Sequence, residues 1–328
     1  MKVKFLIIFI LSLVLNYSKS SVEPSYYSKL LGKVRKEIVE KSLLNLPERT
    51  SINYLQMFNQ IGSLKEKYSL NEVDLSYLIY KWIATNIRLE LNGVNEDPVG
   101  VYNSGKGTSK GISSLFKNIC NYLRLEADII SGFIRVASDD LTKEDLMTKI
   151  DFTWNYVLID GAYYLIDVSS GAGIFIASEF EPFYTDFFFG TNPEFFIRVH
   201  FPKDNKWQLL SDPYSLEKFE SQAYLFQFFY LKGFKTITPD TNIISGRGES
   251  KIILTYDEPL DDELIVSLIM DPTNPDDSEI NDLDVFDGKL EVKFNLINEK
   301  YKLLILGIYD FSVDNIIPMV FYQLNPLK

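Results

Sequence analysis

Apolar residues recur at helical spacing in three segments of the N-terminal half of the chain. They lie in Ser28–Leu46, in Glu72–Glu90 and in Thr108–Leu123, and each pattern predicts an amphipathic helix. Pro47 ends the first pattern. We expect this first helix to pack on the main domain, with a role in partner binding as the alternative. Trp82, on the broad apolar face of the second segment, is predicted to be a core residue.

Strand-like runs follow these helical segments. They cover Ile129–Val136, Phe152–Ile159 and Tyr163–Val168, and Asp160-Gly161 between the last two is typical of a two-residue hairpin turn. Helices followed by an antiparallel meander predict an α+β domain.

The pattern changes again in the last part of the chain, residues 235–328. Short candidate strands are spaced there as in an immunoglobulin-like β-sandwich: Lys251–Asp257, Glu263–Met270, Lys289–Leu296, Tyr301–Tyr309 and Met319–Leu324. The predicted organisation is therefore a signal peptide at 1–20, an N-terminal helical segment at 21–65, an α+β domain at 66–232 and a β-sandwich at 235–328.

The first twenty residues have the pattern of a secretory signal peptide. Lys2 and Lys4 precede an apolar run, Phe5–Leu15, and Ser18-Lys19-Ser20 offers a small-x-small cleavage site. The run is shorter than the roughly twenty residues that a membrane span needs, so a retained signal anchor is the less favoured alternative. We predict a chain that is secreted or enters an endomembrane lumen, with no membrane insertion after cleavage.

Charge and composition limit the partners of the predicted mature chain. Loss of three lysines with the leader takes the formal net charge from −12 to −15, which disfavours nucleic-acid partners. One cysteine and one histidine allow no intramolecular disulfide and no usual zinc site. We expect no metal and no cofactor. An acidic loop at 271–287 misses the spacing of an EF-hand by one residue, so a solvated loop is preferred there over a calcium site.

Three short motifs resemble the transglutaminase-like core, a relative of papain-type folds. They are Gly107–Ser113 at a helix start, Phe152–Asn155 with its Trp-Asn pair, and Tyr163–Asp167 at a strand end. The segments Asn192–Glu194 and His200–Leu210, with Trp-Gln-Leu-Leu, are similar to the kyphoscoliosis peptidase and hillarin branch. The resemblance covers about residues 70–220. It implies a transglutaminase-like fold, and it agrees with a C-terminal sandwich.

The resemblance places the catalytic triad on Ser109, Phe152 and Asp167. A serine then stands at the cysteine position and a phenylalanine at the histidine position, so only the acid is kept. Cys120 lies about 16 Å from Ser109 along the same predicted helix, and its apolar neighbours indicate a buried thiol. The resemblance implies a structural place for His200. For Ser109 the structural alternative is a helix cap or first-turn residue, and for Asp167 a carboxylate that bonds nearby backbone amides.

The sequence therefore predicts a catalytically inactive transglutaminase-like protein that binds a protein or peptide. Ser109, Trp154, Asn155 and Asp167 are its candidate binding residues. The aromatic segment Phe180–Phe189 would supply binding anchors if exposed, and core packing is the favoured use. One alternative is a hydrolase or transamidase that uses Ser109 with a non-histidine base such as Lys110 or Lys106. Another is a structural protein that assembles through the β-sandwich.

Overall fold

A computed structural model describes most of the chain. The described residues are 23–91, 93–137, 147–176, 179–256, 265–269, 283–286, 288–296, 303–310 and 315–326. The predicted signal peptide lies outside these ranges, and so does the acidic loop at 271–287 except for residues 283–286. Both predictions therefore stand as they were made from the sequence.

The helices lie mainly in the first half of the chain. They are α1 (Pro24–Tyr27), α2 (Lys36–Leu43), α3 (Tyr54–Tyr68), α4 (Glu72–Asn86), α5 (Pro98–Ser104), α6 (Ser109–Tyr122), α7 (Val168–Ala172), α8 (Pro193–Phe196), α9 (Leu216–Ser221) and α10 (Gln227–Leu231). Short 3-10 helices cover Leu31–Lys33, Arg49–Ser51 and Asn205–Gln208.

The strands of the first 225 residues are β1 (Arg88–Leu89), β2 (Lys106–Gly107), β3 (Ala127–Ala137), β4 (Met147–Ile159), β5 (Ala162–Ile166), β6 (Gly173–Ile176), β7 (Glu179–Pro182), β8 (His200–Pro202) and β9 (Tyr224–Leu225). Those of the C-terminal part are β10 (Phe234–Thr238), β11 (Ile243–Gly246), β12 (Gly248–Tyr256), β13 (Ile265–Ile269), β14 (Leu283–Phe286), β15 (Lys289–Leu296), β16 (Leu303–Asp310) and β17 (Asn315–Pro326).

The predicted first helix is shorter than its hydrophobic pattern. A 3-10 turn, Leu31–Lys33, ends in an extended residue, Val34, and α2 begins only at Lys36. The backbone N–H of Arg35 donates to Asp74 Oδ1 at 2.9 Å, and its guanidinium also binds that buried carboxylate. A single helix through this segment was therefore the wrong prediction, because the contact with α4 fixes the chain in a non-helical conformation at this point. Packing against the main domain is confirmed.

The other two predicted helices are present with small changes at their ends. Helix α4 ends at Asn86, where β1 begins, and α6 starts at Ser109 after the cap residue Thr108. Trp82 and Cys120 are both buried, as predicted. Helix α3 continues across residue 65, where the sequence suggested the end of the N-terminal segment; the domain boundaries themselves stay predictions.

The central sheet is antiparallel, with the strand order β5-β4-β3-β8. Strands β4 and β5 form the predicted hairpin, and its turn residues Asp160 and Gly161 have φ of 51° and 76°, which an Asp-Gly pair accommodates. Helix α6 packs on β3 and β4 through residues such as Ile112, Leu115 and Phe116, all fully buried. Helices on an antiparallel sheet confirm the α+β class.

The C-terminal part contains two sheets with strands at all five predicted places. One sheet has the order β10-β12-β15-β14, and the other has the order β11-β17-β16-β13, with β9 also paired to β17. Strands β11 and β17 are parallel, and the other pairs are antiparallel. Buried residues of these sheets belong to the same hydrophobic core as α4 and α6. Tyr26 also donates a 2.9 Å hydrogen bond to the carbonyl of Phe234.

Candidate functional site

Ser109 is the first residue of α6, and its backbone is fixed by close packing. The Thr108 side chain caps the helix by accepting from the backbone N–H of Gly111 at 3.2 Å. Just before it, the carbonyl of Gly107 accepts from the N–H of Glu90 at 2.8 Å. A Cβ on Gly107 would lie 2.4 Å from Val101 Cγ2, so this approach of the chain requires glycine.

The Ser109 hydroxyl lies against β4. Its Oγ accepts from the backbone N–H of Thr153 at 3.3 Å and lies 3.4 Å from Thr153 Oγ1. One turn later, Ser113 Oγ donates to the carbonyl of Thr153 at 3.1 Å, and Asn155 Nδ2 donates to the carbonyl of Ser113 at 3.0 Å. Within the described residues, these contacts give the Ser109 hydroxyl no base. A serine hydroxyl without a base stays protonated near neutral pH.

The two lysines weighed as alternative bases are both engaged elsewhere. Lys110 Nζ lies 2.6 Å from Glu96 Oε2, and Lys106 Nζ lies 2.8 Å from Glu90 Oε1. Each ammonium group is thus bound to a carboxylate and not to the Ser109 hydroxyl. The geometry therefore disfavours a serine-lysine dyad at Ser109.

Phe152 stands on β4 directly before Thr153. Its side chain is 3% exposed and lines the same cleft as Ser109. The ring centre lies 6.4 Å from that of His200, in an edge-to-face arrangement. The position that the resemblance assigns to the general base is thus occupied by an apolar ring.

Asp167 directly follows β5 and caps α7, as its structural alternative predicted. Its Oδ1 accepts from the backbone N–H of Ser170 at 3.0 Å, and its Oδ2 accepts from the Ser170 hydroxyl. Oδ2 also lies 2.7 Å from His200 Nε2. The carboxylate is fully buried, and the partners named here, Ser170 and His200, are both groups of the protein.

His200 lies on β8, inside a set of aromatic rings. Phe196 stacks on the imidazole with ring centres 3.9 Å apart, and Trp154 packs edge-on at 5.1 Å. Its Nδ1 is buried without a partner among the described residues. The resemblance implied a structural place for this histidine, and the sequence analysis missed its pairing with Asp167. The two residues are 33 positions apart, and no local motif links them.

A cleft of about 490 Å³ opens beside Ser109. Its rim carries two ion pairs, Lys110–Glu96 at 2.6 Å and Lys203–Asp151 at 2.8 Å. Its lining residues are Leu91, Gly93, Glu96, Thr108, Ser109, Lys110, Ser131, Ile150, Asp151, Phe152, Thr153 and Lys203. The rim charges are paired, so neither sign dominates at the entrance.

Of the four predicted binding residues, Ser109 alone lines this cleft. Trp154 is 1% exposed, and Asn155 and Asp167 are fully buried. These three side chains lie inside the protein and do not line this cleft, and their assignment as ligand contacts stays a prediction. The sequence analysis did not identify Ile150, Asp151 and Lys203 as lining residues of the cleft. For Ile150 and Asp151, their position on the same predicted strand region as Phe152 was an available signal.

The other singled-out residues belong to the core. Cys120 is fully buried, and this burial raises the pKa of its thiol well above the ordinary value, so the buried-thiol prediction is confirmed. In the aromatic segment, Phe180, Phe187 and Phe189 are buried, which confirms packing as its main use. Among the described residues there is no group of three potential metal ligands. In the same part of the chain, no helix has both the length and the apolar character to cross a membrane.

The chain is similar in sequence to several known proteins over about half of its length. No family model matches it. It is 30% identical over 174 residues to kyphoscoliosis peptidase of Homo sapiens, which covers 51% of this chain and 26% of that protein. It is 28% identical over 177 residues to Lim and transglutaminase domain protein ltd-1 of Caenorhabditis elegans, and 24% identical over 181 residues to hillarin of Drosophila melanogaster. These similarities support a relationship to the transglutaminase-like group.

The extent of these similarities is limited. The chain spans about a quarter of the length of the curated relatives that it matches. A solved structure described as a TGase matches 41% of this chain and 36% of that chain, with 14% identity and a TM-score of 0.27. A superposition at that score carries no conclusion about function. The relationship therefore rests on the sequence similarity.

Proposed function

We propose that this protein is a catalytically inactive, transglutaminase-like binding protein that holds a peptide or protein segment in the cleft beside Ser109. The observation that carries this proposal is the replacement of the base by Phe152, together with the pairing of the chain's single histidine with Asp167. An acyl transfer at Ser109 needs a group that removes the hydroxyl proton. A cleft can keep its shape for recognition when the chemistry is lost.

Labelling of nucleophiles tests the inactive half of this proposal without a known substrate. The purified protein is treated with a fluorophosphonate and with iodoacetamide, and adducts are mapped by mass spectrometry. We expect no adduct at Ser109 in the folded protein, and an adduct at Cys120 only after denaturation. Stoichiometric labelling of Ser109 that disappears on denaturation would establish an enzyme and overturn the proposal.

A binding experiment tests the other half. Linear peptides are selected from a displayed random library against the folded protein, and their affinity is measured for the wild type and for Ser109→Ala. If the protein is a binding protein, the wild type and Ser109→Ala should bind the peptide with comparable affinity, because Ser109 forms only a small part of the cleft lining. Failure to select any peptide that competes at the cleft would contradict peptide binding.

Secretion and the β-sandwich remain parts of the proposal. Expression of the full chain in a eukaryotic secretory host, followed by N-terminal sequencing of the protein in the medium, tests cleavage after Ser20. We further propose that the two C-terminal sheets form an immunoglobulin-like sandwich. Its support is the presence of two sheets that both carry buried side chains, such as Leu254 and Val292 in one and Tyr322 in the other.

A further inference from the structure

Among the described residues, the edge of β4 beside the cleft is unpaired over part of its length. Strand β5 pairs with β4 only from Asn155 to Ile159. Strand β3 pairs with β4 from Met147 to Val157. In the described part of the chain, no strand therefore lies beside residues 147–153 on the side of β5. An unpaired strand edge presents a row of hydrogen-bonding groups.

The hydrogen bonds of β3 show which backbone groups of β4 face this edge. Arg135 N–H donates to the carbonyl of Val199 at 3.0 Å, and the carbonyl of Ser131 accepts from Lys203 at 2.9 Å. The backbone N–H and C=O groups of the odd-numbered residues of β3 therefore face β8, and those of its even-numbered residues face β4. Because Gly132 is opposite Phe152, the even-numbered residues of β4 bond to β3 and its odd-numbered residues face away.

The neighbouring contacts agree with this alternation. Thr153, an odd-numbered residue, donates its N–H to Ser109 Oγ and accepts from Ser113 Oγ. Its outward groups are thus covered by the start of α6. The next outward positions are Asp151 and Lys149, and both residues are exposed. Their backbone N–H and C=O groups point into the space beside the cleft.

Building on the proposed function, we infer that the peptide binds by adding a strand to β4, with its backbone hydrogen-bonded to Lys149 and Asp151. The partner is an extended segment of another polypeptide. Residues opposite each other on neighbouring strands have their side chains on the same face of the sheet. One side chain of the bound peptide therefore lies next to Ile150 and Phe152. These two residues line the cleft, and they favour an apolar side chain there.

Two properties of this edge favour a peptide over a second copy of the chain. The two outward residues offer at most four backbone hydrogen bonds, each of which adds at most about tenfold in affinity. That is too little to hold a dimer by its edges alone. A peptide also fills the adjoining cleft, where burial of an apolar side chain adds about thirtyfold more. Because the charges at the rim are paired with each other, recognition of the peptide rests on backbone hydrogen bonds and on apolar contacts.

Hydrogen exchange of individual amides tests this inference. The probe is a linear peptide selected from the random library, and amide exchange of the isotope-labelled full chain is followed by NMR. Without peptide, we expect fast exchange at Lys149 and Asp151 and slow exchange at Ile150 and Phe152, whose N–H groups bond to β3. With peptide, the exchange of Lys149 and Asp151 should slow at least about tenfold, which corresponds to the gain of one hydrogen bond.

Proline substitution provides a matched pair of variants. Asp151→Pro removes the outward N–H and leaves the bonds to β3, since proline is tolerated at an unpaired edge. Asp151→Ala removes the same side chain and keeps the N–H. We expect affinity to fall about tenfold for the proline variant relative to the alanine variant. If the proline variant does not fold, N-methylation of the peptide at successive residues replaces it, and alternate positions should lose binding.

The outcomes separate this inference from the proposed function. A peptide that binds without protecting Lys149 and Asp151 overturns strand addition and leaves peptide binding in place. Protection of the two amides that rises with protein concentration in the absence of peptide identifies a second copy as the occupant, and it overturns the inference. If no peptide is selected against the cleft, the proposed function itself fails.

Discussion

His200 Nε2 lies 2.7 Å from Asp167 Oδ2, and both side chains are buried. The acid that the resemblance assigns to a catalytic triad therefore binds an imidazole from β8. Strand β8 and strand β5, which Asp167 follows, are the two edge strands of the central sheet. The pair satisfies a buried carboxylate that would otherwise keep only the two hydrogen bonds from Ser170. We expect the pair to stabilise the fold where β5 ends.

Removal of one partner of this pair should destabilise the protein. We expect His200→Phe to lower the free energy of unfolding by about 3 kcal/mol, because it leaves a buried carboxylate without its partner. In a double-mutant cycle with Asp167→Asn, the coupling energy should be at least about 1 kcal/mol. Urea denaturation of the four proteins measures it.

An exposed carboxylate serves as the control for this cycle. Asp204 is paired with Lys206 at the surface, and Asp204→Asn should leave the midpoint of urea denaturation nearly unchanged, because exposed ion pairs contribute little. Additive effects of His200→Phe and Asp167→Asn would show that the two side chains do not interact.

A thiol at position 109 should become reactive only when an imidazole stands at position 152. The start of a helix lowers the pKa of a cysteine, and a neighbouring imidazolium lowers it further. We expect the rate of alkylation by iodoacetamide at pH 7 to be about tenfold higher in Ser109→Cys with Phe152→His than in Ser109→Cys alone, for a lowering of the thiol pKa by about one unit. The measurement is the time course of intact mass.

The matched variant is Ser109→Cys with Phe152→Leu. Leucine removes the ring without adding a base, so alkylation should stay at the rate of the single variant. An equal rate for the histidine and leucine variants would contradict the view that the side chain at 152 acts on the cleft.

Gly132 sets the distance between β3 and β8. A Cβ at this position would lie 2.3 Å from the carbonyl oxygen of Phe201 and 2.4 Å from Trp154 Cη2. Gly132→Ala should therefore lower the free energy of unfolding by about 2 kcal/mol or more, because a backbone atom and a packed ring must move. Thermal and urea denaturation measure the change.

The neighbouring exposed residue provides the comparison for this substitution. Ser131→Ala should change stability by less than about 0.5 kcal/mol. If Gly132→Ala proved as stable as Ser131→Ala, the close approach of the two strands would be refuted.

Alkaline pH should destabilise the protein through its buried tyrosines. Burial raises the pKa of Tyr26 to about 12, and burial likewise raises that of Tyr224 to about 12. An unfolded tyrosine ionises near pH 10. The stability from the protonated hydroxyl is thus complete below pH 10 and is lost as the pH rises from 10 through about 12.

A phenylalanine variant isolates the contribution of one side chain. Between pH 9 and pH 11.5, the free energy of unfolding of Tyr26→Phe should fall by about 1 kcal/mol less than that of the wild type. The reason is that phenylalanine has no hydroxyl proton to release. Tyr163→Phe, at an exposed position, should follow the wild type. Urea denaturation at the two pH values measures this, and identical declines for Tyr26→Phe and the wild type would contradict the assignment.

The sequence was sufficient for elements with strong local signals. The Asp160-Gly161 turn, the apolar face of α6 and the places of the C-terminal strands followed from periodicity and turn chemistry. Local signals failed where a distant residue decided the backbone conformation. Arg35 departs from the helical pattern because its N–H and guanidinium bind Asp74, 39 residues away.

The candidate site divides in the same way. The sequence alone determined that residue 109 is a serine and residue 152 a phenylalanine, at the positions that the resemblance assigns to the nucleophile and the base, because those are matters of residue type. The tertiary structure decided that Asp167 pairs with His200, that Trp154 and Asn155 are buried, and that no described strand pairs with the edge of β4 beside the cleft. These features depend on the register and order of strands far apart in the chain, which side-chain periodicity within a single strand does not specify.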